Sequence, residues 1–328
     1  MIKIGLFGAC NNSKIYANLL KQNSNVTLIG IFDEDLTQSK VISKFYNCIA
    51  CASYQILLDI SDAIIFVGPV DEQFEYAKQT LKAQKHLLLR RPFCKKITEA
   101  KELIKFGEEA AVKIAIGQTD RFNQAFIEVQ NKINNPLFIE THRCTGLQNN
   151  TKDINVVTDL MVHDIDLILS LVKSNVKKVF ANGVAVVNKK NDIVNARVEF
   201  ENGCIANLTA NRIALKPAQK ITIFQKDAYF NINLLRRSAQ TIHLIKSTNG
   251  SQESAYTVES GSPTEKKYLY NNINNPIEIN ALQQELSLFI KSILQNIDPP
   301  VSIFDAYDAL DLAHQIIKKI KNNSIVAL

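Results

Sequence analysis

The sequence predicts an α/β protein with two domains: an N-terminal doubly wound parallel sheet, followed by an α+β domain with a large, mostly antiparallel open sheet. Three observations lead to this fold class. The chain has 328 residues, more than one hydrophobic core usually organises. Up to Gly117, short apolar runs alternate with helix-compatible segments. Beyond it, strand-like runs follow one another through short turns such as Glu201-Asn202-Gly203.

Residues 1–119 are predicted as the first domain, with six buried strands and crossover helices between them. The apolar runs that predict strands are 2–7, 26–32, 48–52, 63–67, 86–89 and 112–116. The segments that predict helices include 13–21, 36–45, 72–82 and 97–109. Strands that are apolar throughout are typical of a parallel sheet with helices on both faces.

Residues 120–328 are predicted as the second domain. A helix rich in Leu and Ile, at 157–172, precedes the strand-like runs 176–187, 193–200, 204–210, 220–224 and 228–232. Two further helices, 276–295 and 303–321, flank the helix breaker Asp298-Pro299-Pro300. We expect these C-terminal helices to pack back towards the first domain.

Composition narrows the class of protein. The sequence shows no signal peptide and no stretch of about 18 apolar residues, so we expect a cytoplasmic protein with no membrane partner. Lysines and arginines are scattered and the net charge is +6, which argues against a nucleic-acid partner. Cys48 and Cys51 form a C-x-x-C pair without a second pair at metal-ligand spacing, so we expect free thiols and no metal.

The turn after the first strand is a candidate dinucleotide site, because glycine-rich turns let backbone amides and a helix N-terminus approach a pyrophosphate. Set against G-x-G-x-x-G, the turn keeps the first glycine and replaces the other two with Cys10 and Ser13. Its candidate cofactor-binding residues are Gly8, Cys10, Asn11 and Asn12. An ordinary strand-to-helix turn is the alternative.

Asp33, at the end of the second strand, supports the dinucleotide interpretation. A carboxylate there can accept both ribose hydroxyls of NAD and repel the 2′-phosphate of NADP. Glu34 and Asp35 follow it directly and add to the repulsion. The alternative for Asp33 is an ordinary helix N-cap.

A second group of polar residues lies near the start of the helix predicted at 157–172. Asp159 and His163 are four residues apart, so they share one face of an α-helix. Such a pair could hold a titratable imidazole beside a sugar hydroxyl, with the carboxylate orienting it. A structural histidine is the alternative. Asp164 and Asp166 are expected to be caps or surface residues.

Taken in order, the motifs of the chain resemble those of one family. They are Ile4-Gly-Leu-Phe-Gly-Ala-Cys10, Ile31-Phe-Asp-Glu-Asp35, Phe66-Val-Gly-Pro69, Lys85-His-Leu-Leu-Leu-Arg-Arg-Pro92, Gly117-Gln-Thr-Asp-Arg-Phe-Asn123 and Asp159-Leu-Met-Val-His-Asp-Ile-Asp166. The ordered set resembles the glucose-fructose oxidoreductase, inositol dehydrogenase and rhizopine-catabolism family, Gfo/Idh/MocA. The last two motifs are most similar to the branch that oxidises position 3 of UDP-linked N-acetylglucosamine.

This resemblance implies a Rossmann domain that binds NAD, and it implies a set of catalytic residues. Arg91 stands where the family has the lysine of E-K-P, and Asp159 and His163 match the D-x-x-x-H of a site formed between the domains. A guanidinium keeps its proton in proteins, so Arg91 can donate hydrogen bonds but cannot act as a base. Gln73 stands where the family often has histidine.

The remaining implied contacts divide between cofactor and substrate. Pro69 and Arg90 are expected at the cofactor, and Arg121 and Asn123 at the sugar or its phosphate, for which the donor fork of arginine is well suited. His142 and Arg143 are weaker substrate candidates, and an exposed strand is the alternative for them.

We therefore expect an NAD-dependent oxidoreductase of a sugar or sugar nucleotide. A homodimer or homotetramer is expected, because the second sheet has helices on one face and because relatives of the family often pair through it. The altered turn and Arg91 leave two alternatives open. One is a catalytically inactive descendant that binds a nucleotide or sugar, and the other is a family reductase whose reaction does not need the lysine.

Overall fold

In the computed structural model of the chain, the described residues are 1–146, 155–246, 255–259, 266–274 and 280–323. The chain divides into two compact units. Unit 1 comprises Met1–Thr119 and Leu282–Tyr307, and unit 2 comprises Asp120–Ala281 and Asp308–Leu328. The boundary expected between residues 119 and 120 coincides with this division. Leu282–Tyr307, part of the C-terminal helical region, groups with unit 1.

Six parallel strands form the sheet of unit 1. They are β1 (Ile2–Phe7), β2 (Val26–Phe32), β3 (Ile49–Ala50), β4 (Ala63–Phe66), β5 (His86–Arg90) and β6 (Ile114–Gly117). They lie in the order β3-β2-β1-β4-β5-β6, which is that of two mononucleotide-binding halves meeting at β1 and β4. The predicted doubly wound sheet is confirmed, although β3 is shorter than the run at 48–52.

Five helices connect these strands. They are α1 (Asn11–Lys21), α2 (Leu36–Tyr46), α3 (Tyr54–Ile60), α4 (Val70–Lys82) and α5 (Ile97–Ala110). Local sequence explains both ends of α2. The Asp35 carboxylate caps α2 by accepting from the Thr37 amide at 2.9 Å, and Asn47 ends that helix in the left-handed conformation.

Within the described residues, unit 2 is built on a nine-stranded sheet. Its strands are β7 (Phe138–Cys144), β8 (Val176–Val184), β9 (Ile193–Phe200), β10 (Ile205–Asn211), β11 (Ala218–Gln225), β12 (Ala228–Asn233), β13 (Ser238–Lys246), β14 (Ala255–Glu259) and β15 (Lys266–Asn274). Their order is β14-β15-β13-β12-β11-β7-β10-β9-β8. The β7 and β10 pair is parallel and the other pairs are antiparallel, so the predicted mostly antiparallel sheet is confirmed.

Two helices of unit 2, α6 (Gln124–Gln130) and α7 (Val162–Leu171), contribute to its core. The helix predicted at 157–172 does not run as one α-helix. Its first turn, Val157–Met161, is π-helical, and the Val162 amide donates to the Val157 carbonyl five residues earlier. Such wide turns occur frequently at functional sites.

The last two helices are α8 (Ala281–Leu294) and α9 (Ile303–Asn323). Leu286, Phe289 and Ile290 of α8 pack into the core of unit 1. The division between the units falls within α9, whose Ala313 and Ile316 belong to the core of unit 2. The predicted helix at 276–295 begins at Ala281 within the described residues. Its first residues lie outside the described part of the chain.

Candidate functional site

The turn between β1 and α1 requires glycine at its first position. Gly8 has a φ of +100°, and a Cβ on it would lie 2.8 Å from the backbone nitrogen of Gly68. A Cβ on Gly68 would in turn lie 2.7 Å from the ring of Phe7, which stacks on Phe66 with centroids 4.2 Å apart. The ends of β1 and β4 therefore approach each other closely. Sequence reasoning did not identify Gly68 as a residue that this close approach requires.

Ser13, at the third glycine position, closes the turn. Its hydroxyl donates to the Gly8 carbonyl at 2.5 Å and accepts from the Cys10 amide at 3.1 Å. Cys10 itself is exposed and precedes α1, and Asn11 and Asn12 are exposed in the first helical turn. The Cys10 amide is thus engaged inside the turn, while the N-terminus of α1 faces solvent.

Asp33 is tied to the same turn. Its Oδ2 accepts from the Ala9 amide at 2.5 Å, and its Oδ1 accepts from the Asp35 amide at 2.8 Å. The N-cap alternative for Asp33 is wrong, because Asp35 caps α2. Each carboxylate oxygen has a second lone pair, so Asp33 can accept further hydrogen bonds from a ligand.

Acidic groups surround Asp33. Tyr76 donates to Glu34 at 3.1 Å, and the pKa of Glu72 is raised by burial and then by the charges of Glu34, Asp33 and Asp71. A negative potential of this kind opposes a 2′-phosphate next to Asp33.

Gln73 fixes the segment that follows β5. Its side-chain amide donates to the carbonyls of Arg90 and Pro92, at 2.9 and 3.1 Å, across the cis Arg91-Pro92 peptide. Pro69 is the N-cap of α4, which carries Gln73 in its first turn. Gln73, at the position where the family often has histidine, thus holds the backbone of this segment through its neutral side-chain amide.

Sequence reasoning missed Glu285, which faces the same segment from α8. It is 4% exposed, and its Oε1 accepts from the Gln118 amide, just after β6, at 2.5 Å. Burial raises the pKa of Glu285 to about 7, against the opposing effects of the Gln118 amide and the charges of Arg90 and Arg91. A lone glutamate on an amphipathic helix normally indicates a surface position, so the sequence carries no signal for it.

Asp159 lies on the π-helical turn, where its side chain is 27% exposed. Burial raises the pKa of Asp159, and Arg212, with Nη2 3.9 Å from Oδ2, opposes this shift. Arg212 is a fully buried arginine that sequence reasoning missed. His163 is half-buried in the first turn of α7. Because the π turn is wider than an α turn, the four-residue spacing does not by itself place Asp159 and His163 on one face.

Asp164 and Asp166 are not caps or surface residues as expected. Asp164 is buried and accepts from Nε and Nη2 of Arg143, at 3.0 and 2.7 Å. Asp166 is buried and accepts from Nε and Nη2 of Arg121, at 2.6 and 3.0 Å. Arg143 also donates to Asp120 at 2.7 Å. The two aspartates hold arginines that come from segments before α7.

The predicted substrate contacts have structural partners. Arg121 is held by Asp166, and Asn123 caps α6 by accepting from Ala125 while donating to the Leu234 carbonyl at 2.9 Å. The exposed-strand alternative fits His142, which is exposed on β7. It is wrong for Arg143, which is 4% exposed. Burial disfavours the charged guanidinium of Arg143, but Asp164 and Asp120 outweigh this effect and raise its pKa.

The cysteine pair fits the expectation of free thiols. Burial raises the pKa of Cys48 to about 11 and also raises that of Cys51, which disfavours reactive thiolates. Among the described residues, no three potential metal ligands lie close enough to hold an ion. The helices in the same part of the chain are all too short or too polar to cross a bilayer.

The predicted site residues therefore fall into two groups. The turn, Asp33 and Arg91 belong to unit 1, and Asp159 and His163 belong to unit 2. The expectation that Arg91 meets Asp159 and His163 stays a prediction. For NAD, the fit rests on three features of unit 1: the strand order, the glycine that the turn requires, and the carboxylate fixed beside it.

Comparisons with known proteins agree with this fold. A family model described as "Oxidoreductase family, NAD-binding Rossmann fold" matches residues 2–118, and one described as "GFO/IDH/MocA C-terminal domain" matches residues 141–230. The UDP-N-acetylglucosamine 3-dehydrogenase of Acidithiobacillus ferrooxidans is 31% identical over 243 residues, which are 74% of this chain and 77% of that protein. The myo-inositol 2-dehydrogenase of Thermotoga maritima is 22% identical over 100% of this chain and 98% of its own length.

A solved structure of the Acidithiobacillus ferrooxidans enzyme superposes with a TM-score of 0.86 at 25% identity, covering 98% of each chain. The resemblance inferred from the ordered motifs is therefore confirmed across both units. The chain belongs to the Gfo/Idh/MocA oxidoreductase family, and its cofactor is the NAD that the family's Rossmann domain binds.

Proposed function

We propose that this chain is an NAD-dependent oxidoreductase that transfers hydride between a carbon of a sugar or sugar nucleotide and the nicotinamide ring. The observation that carries the proposal is the hydrogen bond from Ala9 to Asp33. It fixes the carboxylate that would select the cofactor beside the turn that would hold its pyrophosphate. The relative that is 31% identical is named for its action on UDP-N-acetylglucosamine, which supports a UDP-sugar as the substrate.

The proposed chemistry divides between the cofactor and the side chains. When bound, NAD accepts or supplies the hydride. His163 exchanges the proton of the substrate hydroxyl, and the Asp159 carboxylate orients the His163 imidazole. Arg91 donates hydrogen bonds and keeps its own proton. The substrate contacts proposed for Arg121 and Asn123 would use side chains whose orientation is already fixed by Asp166 and Leu234.

A catalytically inactive descendant that binds a nucleotide or sugar is the second candidate. Two observations favour it. The Cys10 amide is engaged by Ser13 within the turn, and Arg91 occupies the position of the family lysine. The engaged Cys10 amide leaves one backbone donor fewer for the pyrophosphate. Arg91 removes the side chain that could transfer a proton in the family pattern.

Titration of the purified chain with NADH and NADPH, followed by fluorescence and calorimetry, tests the cofactor assignment. NADH should bind more tightly at moderate salt, because acidic groups surround Asp33. Asp33→Asn should reduce the difference in affinity between NADH and NADPH. Asp59→Asn, which removes an exposed carboxylate on α3, should leave this difference unchanged. Equal or tighter binding of NADPH by the wild type would contradict the assignment.

Turnover on a panel of UDP-sugars separates the two candidates. Arg91→Lys should raise turnover by about 10² to 10⁴, the range that a positioned acid or base contributes. His163→Ala should lower turnover and leave NADH affinity unchanged, since it is assigned to the proton and not to the cofactor. If the wild type binds NADH and neither it nor Arg91→Lys turns over any UDP-sugar, the binding candidate is the better one.

We also propose a cytoplasmic homodimer or homotetramer. One face of the nine-stranded sheet packs on the core of unit 2, and its other face exposes apolar side chains. Phe180 and Val184 of β8 and Phe224 of β11 are 50%, 55% and 40% exposed. A monomer by light scattering at micromolar concentration would contradict the proposal.

A further inference from the structure

Glu285 is a buried acid that the proposed chemistry does not use. It lies on α8, and its carboxylate reaches the carboxyl end of β6, where Oε1 accepts from the Gln118 amide at 2.5 Å. Oε2 would lie 3.6 Å from a Cβ on Gly117, the last residue of β6. The carboxylate is therefore packed directly against the end of this strand.

Charged and titratable groups from two other segments, the end of β5 and α1, face Glu285. Arg90 ends β5, Arg91 follows it, and both act on the carboxyl through their positive charges. Tyr16 of α1 lies close enough for Glu285 to raise its pKa, after the larger effect of burial. Both guanidiniums stay charged and the phenol stays neutral around neutral pH, so Glu285 is the member of this group that changes charge there.

The strand order indicates which part of a dinucleotide this group faces. In a sheet of order β3-β2-β1-β4-β5-β6, each half binds one mononucleotide at the carboxyl ends of its strands. The turn at Gly8 and Asp33 belong to the half of β1 to β3, where the adenosine is expected. The ends of β5 and β6 belong to the other half, where the nicotinamide is expected.

We propose that Glu285 is a positioning residue for the nicotinamide half of the site, and that its negative charge favours the oxidised cofactor over the reduced one. This inference rests on the proposed function. The oxidised nicotinamide ring carries a positive charge and the reduced ring is neutral. Next to Arg90 and Arg91, an ionised Glu285 offsets part of the positive potential that the oxidised ring would meet. Once protonated, it no longer does so.

The consequence is a pH-dependent preference between the two forms of the cofactor. Binding of the charged ring stabilises the ionised carboxyl, and by linkage ionisation of the carboxyl tightens binding of the charged ring by the same factor. If the coupling corresponds to one unit of pKa, the ratio of the dissociation constants of NAD⁺ and NADH falls roughly tenfold as Glu285 ionises.

The test measures both dissociation constants on the full chain at pH 5.5 and 8.5, by calorimetry for NAD⁺ and by fluorescence for NADH. In the wild type the ratio should fall roughly tenfold between these pH values. Glu285→Gln keeps an oxygen for the Gln118 amide but cannot ionise, so its ratio should stay at the wild-type value of pH 5.5. Asp298→Asn is the matched control, because it removes an exposed carboxylate near Lys113, at the opposite end of β6, and should behave as the wild type.

Proton release gives a second measurement that does not depend on a variant. At pH 7, binding of NAD⁺ to the wild type should release about half a proton more than binding of NADH, as measured by calorimetry in buffers of different ionisation enthalpy. The inference is overturned, while the proposed function stands, in either of two cases. In the first, the ratio of the dissociation constants of NAD⁺ and NADH does not change with pH and both bind with equal proton release. In the second, the Glu285→Gln protein keeps the pH dependence of the wild type. Failure of the wild type to bind either dinucleotide overturns both.

Discussion

Both units place arginine beside a buried carboxylate, but the charges are joined differently in each. In unit 2, Arg143 contacts Asp164 and Asp120 at 2.7 Å, and Arg121 contacts Asp166 through two nitrogens. In unit 1, a backbone amide donates to Glu285, and Arg90 and Arg91 act on it through their charges. Direct bonds hold the unit 2 charges in fixed positions, whereas the carboxyl of Glu285 can gain or lose a proton near neutrality.

This difference separates two uses of buried charge. A guanidinium that is bonded on two nitrogens by a buried carboxylate serves as a framework, and breaking it leaves an uncompensated charge. A buried acid with a raised pKa is able to respond to a ligand, which is why such groups cluster at functional sites.

Removing Arg143 should produce the largest loss of stability. Arg143→Ala leaves Asp164 buried without its charged partner, so we expect the free energy of unfolding to fall by about 3–5 kcal/mol in guanidinium denaturation. The double change Arg143→Met with Asp164→Leu should recover part of this loss, because it removes both charges. A loss below about 1 kcal/mol for Arg143→Ala would mean that the pair is not a framework.

Replacing Glu285 should change the pH dependence of stability. The pKa of Glu285 is about 7 in the folded chain and near its ordinary value of 4.5 when unfolded. Its contribution to stability is therefore complete below pH 4.5 and is lost as the pH rises through 7. The wild type should lose about 3 kcal/mol relative to Glu285→Gln between pH 4.5 and 8. Denaturation at several pH values checks this, and a constant difference would contradict it.

Removing the two hydrogen bonds that Gln73 donates should have a smaller effect on the free energy of unfolding. Gln73→Leu removes a buried side-chain amide and leaves the part-buried carbonyls of Arg90 and Pro92 without two hydrogen bonds, so we expect a loss of about 1–3 kcal/mol in the free energy of unfolding. Gln79→Leu makes the same change at an exposed position of α4 and serves as the control. Equal effects of the two changes would show that the carbonyls do not need Gln73.

The smallest effect is expected at the exposed ion pair of Lys113 and Asp298. The Asp298 side chain is 92% exposed, so solvent screens its charge. Asp298→Asn should change the free energy of unfolding by no more than about 0.5 kcal/mol, and added salt should reduce even that. A loss comparable to that of Arg143→Ala would remove the distinction between buried and exposed pairs.

Much of unit 1 could be predicted because its strands are buried on both faces. The runs at 2–7 and 26–32 coincide with β1 and β2, since parallel strands between two layers of helix are apolar throughout. The strand β7 was predicted only as the exposed-strand alternative for His142 and Arg143, for the opposite reason. Its seven residues include Glu140, His142 and Arg143, and no spacing rule shows that the arginine of an alternating strand is buried.

The candidate site could be predicted where backbone geometry dictates residue type. Gly8 and Asp33 follow from the shape of a dinucleotide turn. The partners of Asp164 and Asp166 could not be foreseen, because their arginines come from a 3₁₀ turn and a strand that precede α7. The burial of Glu285 could not be foreseen either, because it depends on which strand end α8 covers.

The hydrogen bond between Ala9 and Asp33 restricts how this lineage could evolve towards another cofactor. One carboxylate accepts from the Ala9 amide in the turn and, in the proposed function, would oppose a 2′-phosphate, so most substitutions that admit NADP would also deprive that amide of its acceptor. Asparagine has the same shape, no charge and an oxygen for that amide, although its single oxygen cannot also accept from the Asp35 amide. An evolutionary path to NADP therefore begins at Asp33→Asn, or it must first rebuild the turn.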